Sequence, residues 1–148
     1  MPGALHSAHR DPGASPGLML WRVTNAWQRT VRAALAPFGL THVQFVLLAV
    51  LTAMDPSVAV TQRGLARQAA TDPMMTSQVL RALEGKGLVE RLPHPTDGRA
   101  RTLAATPAGI ELANRANVAV EAADDDYFAA LGDDAAAFTH SLALLART

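Results

Sequence analysis

The spacing of apolar and polar residues along this chain predicts six helices and one short β-ribbon. Ser15 and Pro16 start the first helix, because serine accepts a hydrogen bond at an N-cap and proline suits the first helical position. Thr41 and Gln44 form a capping box in front of the second helix, residues 42–54. This second helix is almost wholly apolar, so we expect it to lie at the centre of the core.

Two short helices around a tight turn come next. Thr61 caps a helix that ends near residue 69, and Asp72 and Pro73 start another that extends to about residue 86. The i, i+3, i+4, i+7 rule divides this later helix into two faces. Its inward face is predicted to consist of Thr76, Val79, Leu80 and Leu83, and its outward face of Met74, Ser77, Gln78 and Arg81.

Two strand-like runs follow, residues 88–92 and 100–106, and we expect them to pair as an antiparallel wing around a turn that carries Arg99. An earlier run, residues 58–60, is long enough only for a small strand. Helix, turn, helix and wing in this order make a winged helix-turn-helix. The predicted fold class is therefore mainly α (α+β), with about six helices and a two-stranded β-wing.

The whole chain is predicted to hold a single domain. Residues 1–14 contain proline and glycine without periodicity, so they are expected to form a flexible arm. Residues 15–148 form the domain, in which residues 58–106 are the winged helix. Helices over residues 15–36 and 107–147 flank this module on its two sides.

Composition limits the function classes. With 148 residues, 49% of them hydrophobic and 18% charged, the chain can bury a core, and no run of 18 apolar residues predicts a membrane span. The N-terminus lacks the apolar region of a signal peptide, so the cytoplasm is the expected compartment. Cysteine is absent, and no nucleophile triad, phosphate loop or HExxH sequence occurs. We expect no enzyme, no cofactor and no metal site.

Charge is distributed unevenly along a chain whose formal net charge is +0. Residues 62–101 hold seven basic and four acidic side chains, a net charge of +3. Residues 110–148 hold two basic and seven acidic side chains, a net charge of −5. This asymmetry favours a polyanionic partner for the middle of the chain and a solvated surface at its end.

The outward face of the second motif helix carries the chemistry for reading DNA bases. A B-DNA major groove, about 12 Å wide, admits one α-helix. Gln78 can pair with adenine, Arg81 with guanine or a phosphate, Ser77 can form a hydrogen bond of either sense, and Met74 can contact a thymine methyl. On an isolated amphipathic helix such a face would only be solvated. The tight turn before this helix and the arginine-tipped ribbon after it favour DNA contact.

The wing and the first motif helix offer further contacts. Arg99 is the candidate for the minor groove, because a narrow groove attracts a guanidinium, and Arg101 is a candidate for a phosphate. Asp97 is anionic, so it is expected to hold Arg99 or a turn amide in place rather than to contact DNA. Additional phosphate contacts are expected from Thr61, Gln62, Arg63 and Lys86.

Several short motifs in this order resemble the multiple antibiotic resistance regulator (MarR) family. They are Leu65-Ala66, the run LEGKGLVER over residues 83–91, and Asp97-Gly98-Arg99 followed by Leu103, Thr106 and Gly109. The resemblance spans essentially the whole domain. Two departures, Gly85 and Ala105, concern local packing rather than function. The resemblance implies a repressor that binds palindromic double-stranded DNA and is released by a small effector.

A homodimer is expected, since paired modules read half-sites about one helical turn apart. The resemblance places the dimer interface on the terminal helices, where Trp21 and Val23 widen the apolar stripe of the first helix. Other apolar candidates there are Leu112, Val118, Phe128, Leu131, Phe138, Leu142 and Leu145. The resemblance also implies a cleft for a small aromatic or anionic effector, with candidate lining residues Trp21, Trp27, His42 and Phe45. The alternative function is a winged-helix module that contacts only proteins.

Overall fold

A computed structural model describes residues 4–147 and confirms the mainly α fold with a two-stranded wing. Short 3₁₀ turns precede α1, follow it and separate the last two helices. The helices are α1 (Pro16–Leu35), α2 (His42–Ala53), α3 (Gln62–Ala69), α4 (Pro73–Gly85), α5 (Pro107–Phe128) and α6 (Ala135–Ala146). The strands are β1 (Val89–Pro93) and β2 (Arg101–Ala105).

The helix starts follow the capping residues of the sequence. Before α2, the Thr41 hydroxyl accepts from the Gln44 amide at 3.2 Å, and the Gln44 side chain accepts from the Thr41 amide at 3.2 Å. This capping box was predicted and is confirmed. Before α4, the Asp72 carboxylate accepts from the Met75 amide at 2.8 Å. Local hydrogen bonding therefore fixes where both helices begin.

Helix α2 is the central element, as predicted. It packs against α1, α3, α4, α5 and β2, and its side chains Phe45, Leu47, Leu48 and Leu51 are buried. Among residues 4–147, no single helix is long and apolar enough to cross a membrane. One pair, Pro16–Phe38 with His42–Ala53, meets the length and composition test only when its members are joined across a 75° bend.

The predicted strand over residues 58–60 is wrong. No strand is formed there, although the Val60 carbonyl accepts from the Leu103 amide at 2.8 Å. A single backbone hydrogen bond ties this segment to β2, and Thr61 begins capping α3 immediately afterwards. The helix cap ends the extended segment before a second bond of the ladder can form.

The junction between the wing and α5 is unusually close. The Leu88 carbonyl accepts from the Thr106 amide at 3.0 Å, and the Gly87 carbonyl accepts from the Thr106 hydroxyl at 2.7 Å. Gly109 lies directly against the Leu88 carbonyl, so a Cβ atom at this position would overlap that oxygen. The first turn of α5 therefore rests backbone to backbone on the start of β1.

Candidate nucleic-acid interface

The predicted division of α4 into two faces is confirmed. Thr76, Leu80 and Leu83 are buried and Val79 is half-buried, so this side of the helix packs on the core. The opposite side presents Met74, whose exposed fraction is 71%, together with exposed Gln78 and Arg81 and half-buried Ser77. The Arg81 guanidinium donates to the Ser77 hydroxyl at 3.2 Å, one helical turn away. Three hydrogen-bonding side chains therefore lie together on one outward surface.

The turn between α3 and α4 is fixed by its own hydrogen bonds. Ala70 ends α3 in the left-handed conformation at φ 53°, and the Thr71 amide donates to the Ala66 carbonyl at 2.9 Å. The hydroxyls of Thr71 and Thr76 are 2.7 Å apart, and the Thr76 hydroxyl also contacts the Asp72 carbonyl at 2.8 Å. Since Thr76 is fully buried, this network holds the start of α4 in a defined orientation relative to α3.

The tip of the wing is shaped by side chains that accept from backbone amides. The Asp97 carboxylate accepts from the Arg99 amide at 3.0 Å. The His94 Nδ1 atom accepts from the Thr96 amide at 3.2 Å and the Asp97 amide at 3.1 Å. The sequence places His94 within the turn but gives no sign that its ring accepts from two amides. These hydrogen bonds within the turn fix its backbone, and the side chain of Arg99 is exposed at the tip of the wing.

Lys86 has a different environment from the one expected of a phosphate contact. Its ammonium donates to the Gly39 carbonyl at 2.7 Å and to the Gln44 side chain at 3.0 Å. These bonds tie the end of α4 to the start of α2, on the protein itself. The proposed DNA contacts therefore exclude Lys86.

Arg91, in β1, links three elements that sequence reasoning treated separately. Its Nε atom donates to the Glu84 carboxylate of α4 at 3.0 Å, and its Nη2 atom donates to the Gln62 side-chain oxygen of α3 at 3.0 Å. The side-chain oxygen of Gln62, at the start of α3, thus already accepts a hydrogen bond from Arg91. The neighbouring Arg63 is exposed. The network was missed because Gln62 and Arg91 are 29 positions apart.

A cleft of about 760 Å³ lies between α1, α2 and the turn before α4. The Trp27 and His42 rings meet edge to face in it, with their centroids 5.1 Å apart, and the Trp27 indole donates to Asp124 of α5 at 2.7 Å. Arg32 of α1 and Met75 of α4 also line this space. The remaining lining residues are Gln28, Thr41, Val43, Val46, Ala69, Ala70 and Thr71. One cleft therefore touches both the terminal helix α1 and the helix that carries the base-reading candidates.

Two of the four aromatic cleft candidates lie elsewhere. Phe45 belongs to the core, with 6% of its surface exposed, because α2 is surrounded on most sides. Trp21 is 69% exposed and lies outside the cleft, two turns of α1 before Trp27. Burial of the His42 imidazole lowers its pKa, the Arg32 guanidinium lowers it further, and the Asp124 carboxylate partly opposes both effects. The net effect favours the uncharged form of the imidazole.

The flanking helices carry exposed apolar side chains. α1 packs against α5 along much of its length, yet Leu20, Trp21 and Val23 point away from the chain's own core. Val118 of α5 is 71% exposed and Leu142 of α6 is 39% exposed. Large apolar side chains at both ends of the chain thus remain accessible in the single subunit.

Comparison with known proteins identifies the family. The model of the MarR family matches residues 40–100. The MarR family protein Rv2887 of Mycobacterium tuberculosis, in its structure with salicylic acid, is 36% identical, covers 89% of this chain and 96% of its own, and superposes with a TM-score of 0.70. The chain belongs to the MarR family. The resemblance seen in the sequence is therefore confirmed.

Other similar proteins agree with this assignment. The uncharacterized HTH-type transcriptional regulator YdcH of Bacillus subtilis is 46% identical over 126 residues, which are 84% of this chain and 86% of YdcH. Rv2887, an HTH-type transcriptional repressor by name, was also solved in complex with DNA, at 34% identity and a TM-score of 0.69 over 89% of this chain and 98% of that one. CouR of Rhodococcus jostii RHA1, bound to p-coumaroyl-CoA, gives 29% identity and a TM-score of 0.79 over 90% and 92% of the two chains. YdcH and Rv2887 are both named as HTH-type transcriptional regulators or repressors.

Proposed function

We propose that this MarR-family chain is a transcriptional repressor that binds palindromic double-stranded DNA as a homodimer and leaves it when a small molecule binds. The observation that carries the proposal is the outward surface of α4, where Ser77, Gln78 and Arg81 lie together. The opposite face of α4 packs on the core. The DNA complex of Rv2887 supports this choice. A winged-helix module that contacts only proteins is not favoured by relatives that are regulators by name. The expected compartment remains the cytoplasm.

In the proposed complex, α4 enters the major groove and the wing follows the backbone into the minor groove. Gln78 and Arg81 read base edges, with Met74 against a thymine methyl and Ser77 as an adaptable hydrogen-bonding partner. Arg99 enters the minor groove, and Arg101 contacts a phosphate. The further phosphate contacts are Thr61, Gln62 and Arg63, while Asp97 supports the turn that presents Arg99.

The proposed dimer interface is formed by the exposed apolar side chains of α1, α5 and α6. In an isolated subunit, Trp21, Val118 and their neighbours leave apolar surface in water, which a second copy would cover. A two-fold axis relating the two copies would place two α4 helices in successive major grooves on one side of the duplex. This arrangement explains why the flanking helices accompany the winged helix.

Substitution of Arg99 by alanine tests the role of the wing. We expect weaker binding to operator DNA and a shallower slope of log affinity against log salt concentration. The slope should fall by roughly one for each phosphate that is no longer neutralised, because each neutralised phosphate releases condensed counterions. Fluorescence anisotropy at several salt concentrations measures both quantities. The matched control is Arg29→Ala, which removes an exposed arginine from α1. Equal slopes for the Arg99 variant and the unmodified protein would contradict the assignment.

The cleft between α1 and α4 is the proposed effector site. Its rings and the Arg32 guanidinium suit an aromatic carboxylate, and the complexes of Rv2887 with salicylic acid and CouR with p-coumaroyl-CoA support this class. Because Met75 of α4 forms part of the cleft wall, a bound ligand would press on the start of α4. The site therefore offers a direct route from ligand binding to DNA release.

We expect salicylate at millimolar concentration to raise the melting temperature of the protein, because a ligand that binds only the folded state stabilises it. Arg32→Gln should remove most of that rise by removing the charge partner of the carboxylate. Arg29→Gln, on the same helix but outside the cleft, should leave it intact. Differential scanning fluorimetry measures all three. The same rise in the Arg32 and Arg29 variants would exclude this cleft as the site.

A further inference from the structure

Arg91 stands where the three parts of the proposed DNA-binding surface meet. It lies in β1, opposite Leu103 of β2, and its two hydrogen bonds reach Glu84 at the end of α4 and Gln62 at the start of α3. The side chains of Arg91 and Glu84 are each 29% exposed, so the contact is half-shielded from water. The planar guanidinium of Arg91 thus joins the wing, α4 and α3.

Besides Arg91, the wing is connected to α3 by the packing of β2 on that helix and by one backbone hydrogen bond just before it. The Leu103 amide donates to the Val60 carbonyl at 2.8 Å, just before α3 begins. Within residues 4–147, a side-chain hydrogen bond also joins the wing strands to α3, from Arg91 to Gln62. Arg91 therefore adds a directional polar contact to the packing of β2 against α2, α3 and α5.

The same bond also orients Gln62. Because its side-chain oxygen accepts from Arg91, the amide nitrogen with its two donors is directed away from that guanidinium. Gln62 lines a surface cleft of about 650 Å³ together with Arg63 and Arg67. An amide held in one orientation loses less side-chain entropy when it meets a phosphate oxygen.

We propose that Arg91 is a positioning residue for DNA binding: it sets the wing and Gln62 relative to α4, so that groove and backbone contacts form together. The proposal rests on the DNA-binding function proposed above. It assigns no DNA contact to Arg91 itself, whose guanidinium is directed to Glu84 and Gln62. Its contribution to affinity is therefore geometric rather than a matter of charge.

Two substitutions separate geometry from charge. Glu84→Leu removes a negative charge near a polyanion, so a purely electrostatic role predicts tighter DNA binding. Loss of positioning instead predicts weaker binding, which we expect to be roughly fivefold to tenfold. Arg91→Met removes both hydrogen bonds and should weaken DNA binding. Arg91→Lys keeps the charge, but its ammonium cannot contact both partners as the planar guanidinium does, so we expect it to weaken DNA binding as Arg91→Met does. Tighter binding by Glu84→Leu, or unmodified affinity for Arg91→Lys, would overturn the proposal.

A double-mutant cycle with Arg99 separates positioning from a loss of stability. If Arg91 places the wing, then Arg99→Ala should weaken binding much less in the Arg91→Met background than in the unmodified protein. Val120→Ala, in the core of α5, is the control for reduced stability and should leave the effect of Arg99→Ala unchanged. Strict additivity of Arg91→Met and Arg99→Ala would refute the positioning role.

A measurement without DNA keeps this proposal distinct from the proposed function. In amide hydrogen exchange of the free protein, Arg91→Met should accelerate exchange in β1 and β2, while the buried turns of α2 keep their protection. Acceleration in a protein that binds no DNA would refute the proposed function and preserve the role of Arg91 in fixing the wing. Unchanged exchange in the wing would refute the role of Arg91, whatever the DNA affinity.

Discussion

Replacing Gln78 and Arg81 together by alanine is expected to remove most of the preference for operator over random DNA. A bidentate contact to a base provides about 1–3 kcal/mol of discrimination, and a dimer makes each contact twice. A loss of roughly a thousandfold or more in operator affinity follows, since four such contacts sum to at least about 4 kcal/mol and each 1.4 kcal/mol corresponds to about tenfold. Binding to random duplex should change far less, because Arg63, Arg99 and Arg101 are proposed to contact the backbone and minor groove instead.

Competition binding with operator and scrambled duplexes of equal length measures this preference. Gln68→Ala is a matched control, because this exposed glutamine of α3 lies beside the end of α2 and outside the proposed interface. It should bind both duplexes like the unmodified protein. Equal losses on operator and scrambled DNA in the double variant would show that Gln78 and Arg81 contact phosphates, and the proposed base reading would be wrong.

The second large effect concerns stability. Gly109→Ala is expected to lower the free energy of unfolding by about 1–3 kcal/mol, the usual cost of overpacking a close contact. The new Cβ atom would overlap the Leu88 carbonyl, whose position is fixed because it accepts from the Thr106 amide at 3.0 Å. The overlap can be relieved only if the backbone of α5 moves away from that of β1, because no side-chain rotation removes a backbone oxygen.

Urea unfolding of Gly109→Ala beside Gly85→Ala measures this effect. Gly85 is the last residue of α4 and a Cβ atom there would meet nothing within 4 Å. Its replacement should therefore stabilise the protein by up to about 1 kcal/mol through better helix propensity. If both alanine variants gained stability, the close approach of α5 to β1 would be incorrect.

Features encoded by neighbouring residues could be predicted from the sequence. The capping box of Thr41 and Gln44 and the cap at Asp72 depend on groups three residues apart, so the sequence contains all of their partners. The two faces of α4 follow from helical periodicity alone. Both strands of the wing were predicted within one residue, because the intervening turn residues separate them clearly.

Contacts between distant residues could not be predicted. Lys86 was expected to contact a phosphate, and nothing in the sequence indicates its hydrogen bond to the Gly39 carbonyl, 47 positions away. Arg91 was passed over for the same reason, and the pairing of Trp27 with Asp124 spans 97 positions. Helical periodicity indicates which side chains share one face of a helix, but not which other element packs against that face.

The proposed effector cleft shows the same limit. The family resemblance predicted a cleft, and aromatic residues of α1 and α2 were its candidate lining; of these, Trp27 and His42 line the cleft in the structure. Phe45 was buried instead because α2 is enclosed by its neighbours, and enclosure is a tertiary property. Arg32 and Met75 carry no local mark of a binding site and become cleft residues only when α1 and α4 approach each other.

The most direct test is binding of the purified protein to the intergenic DNA beside its own gene. Fluorescence anisotropy with that duplex and a scrambled one, at two salt concentrations, gives selectivity and salt dependence, and titration at high concentration gives stoichiometry. We expect two chains per duplex, with selective binding that weakens steeply as salt increases. Equal affinity for both duplexes at both salt concentrations, or saturation at one chain per duplex, would contradict a homodimer that reads a palindrome through α4 and the wing.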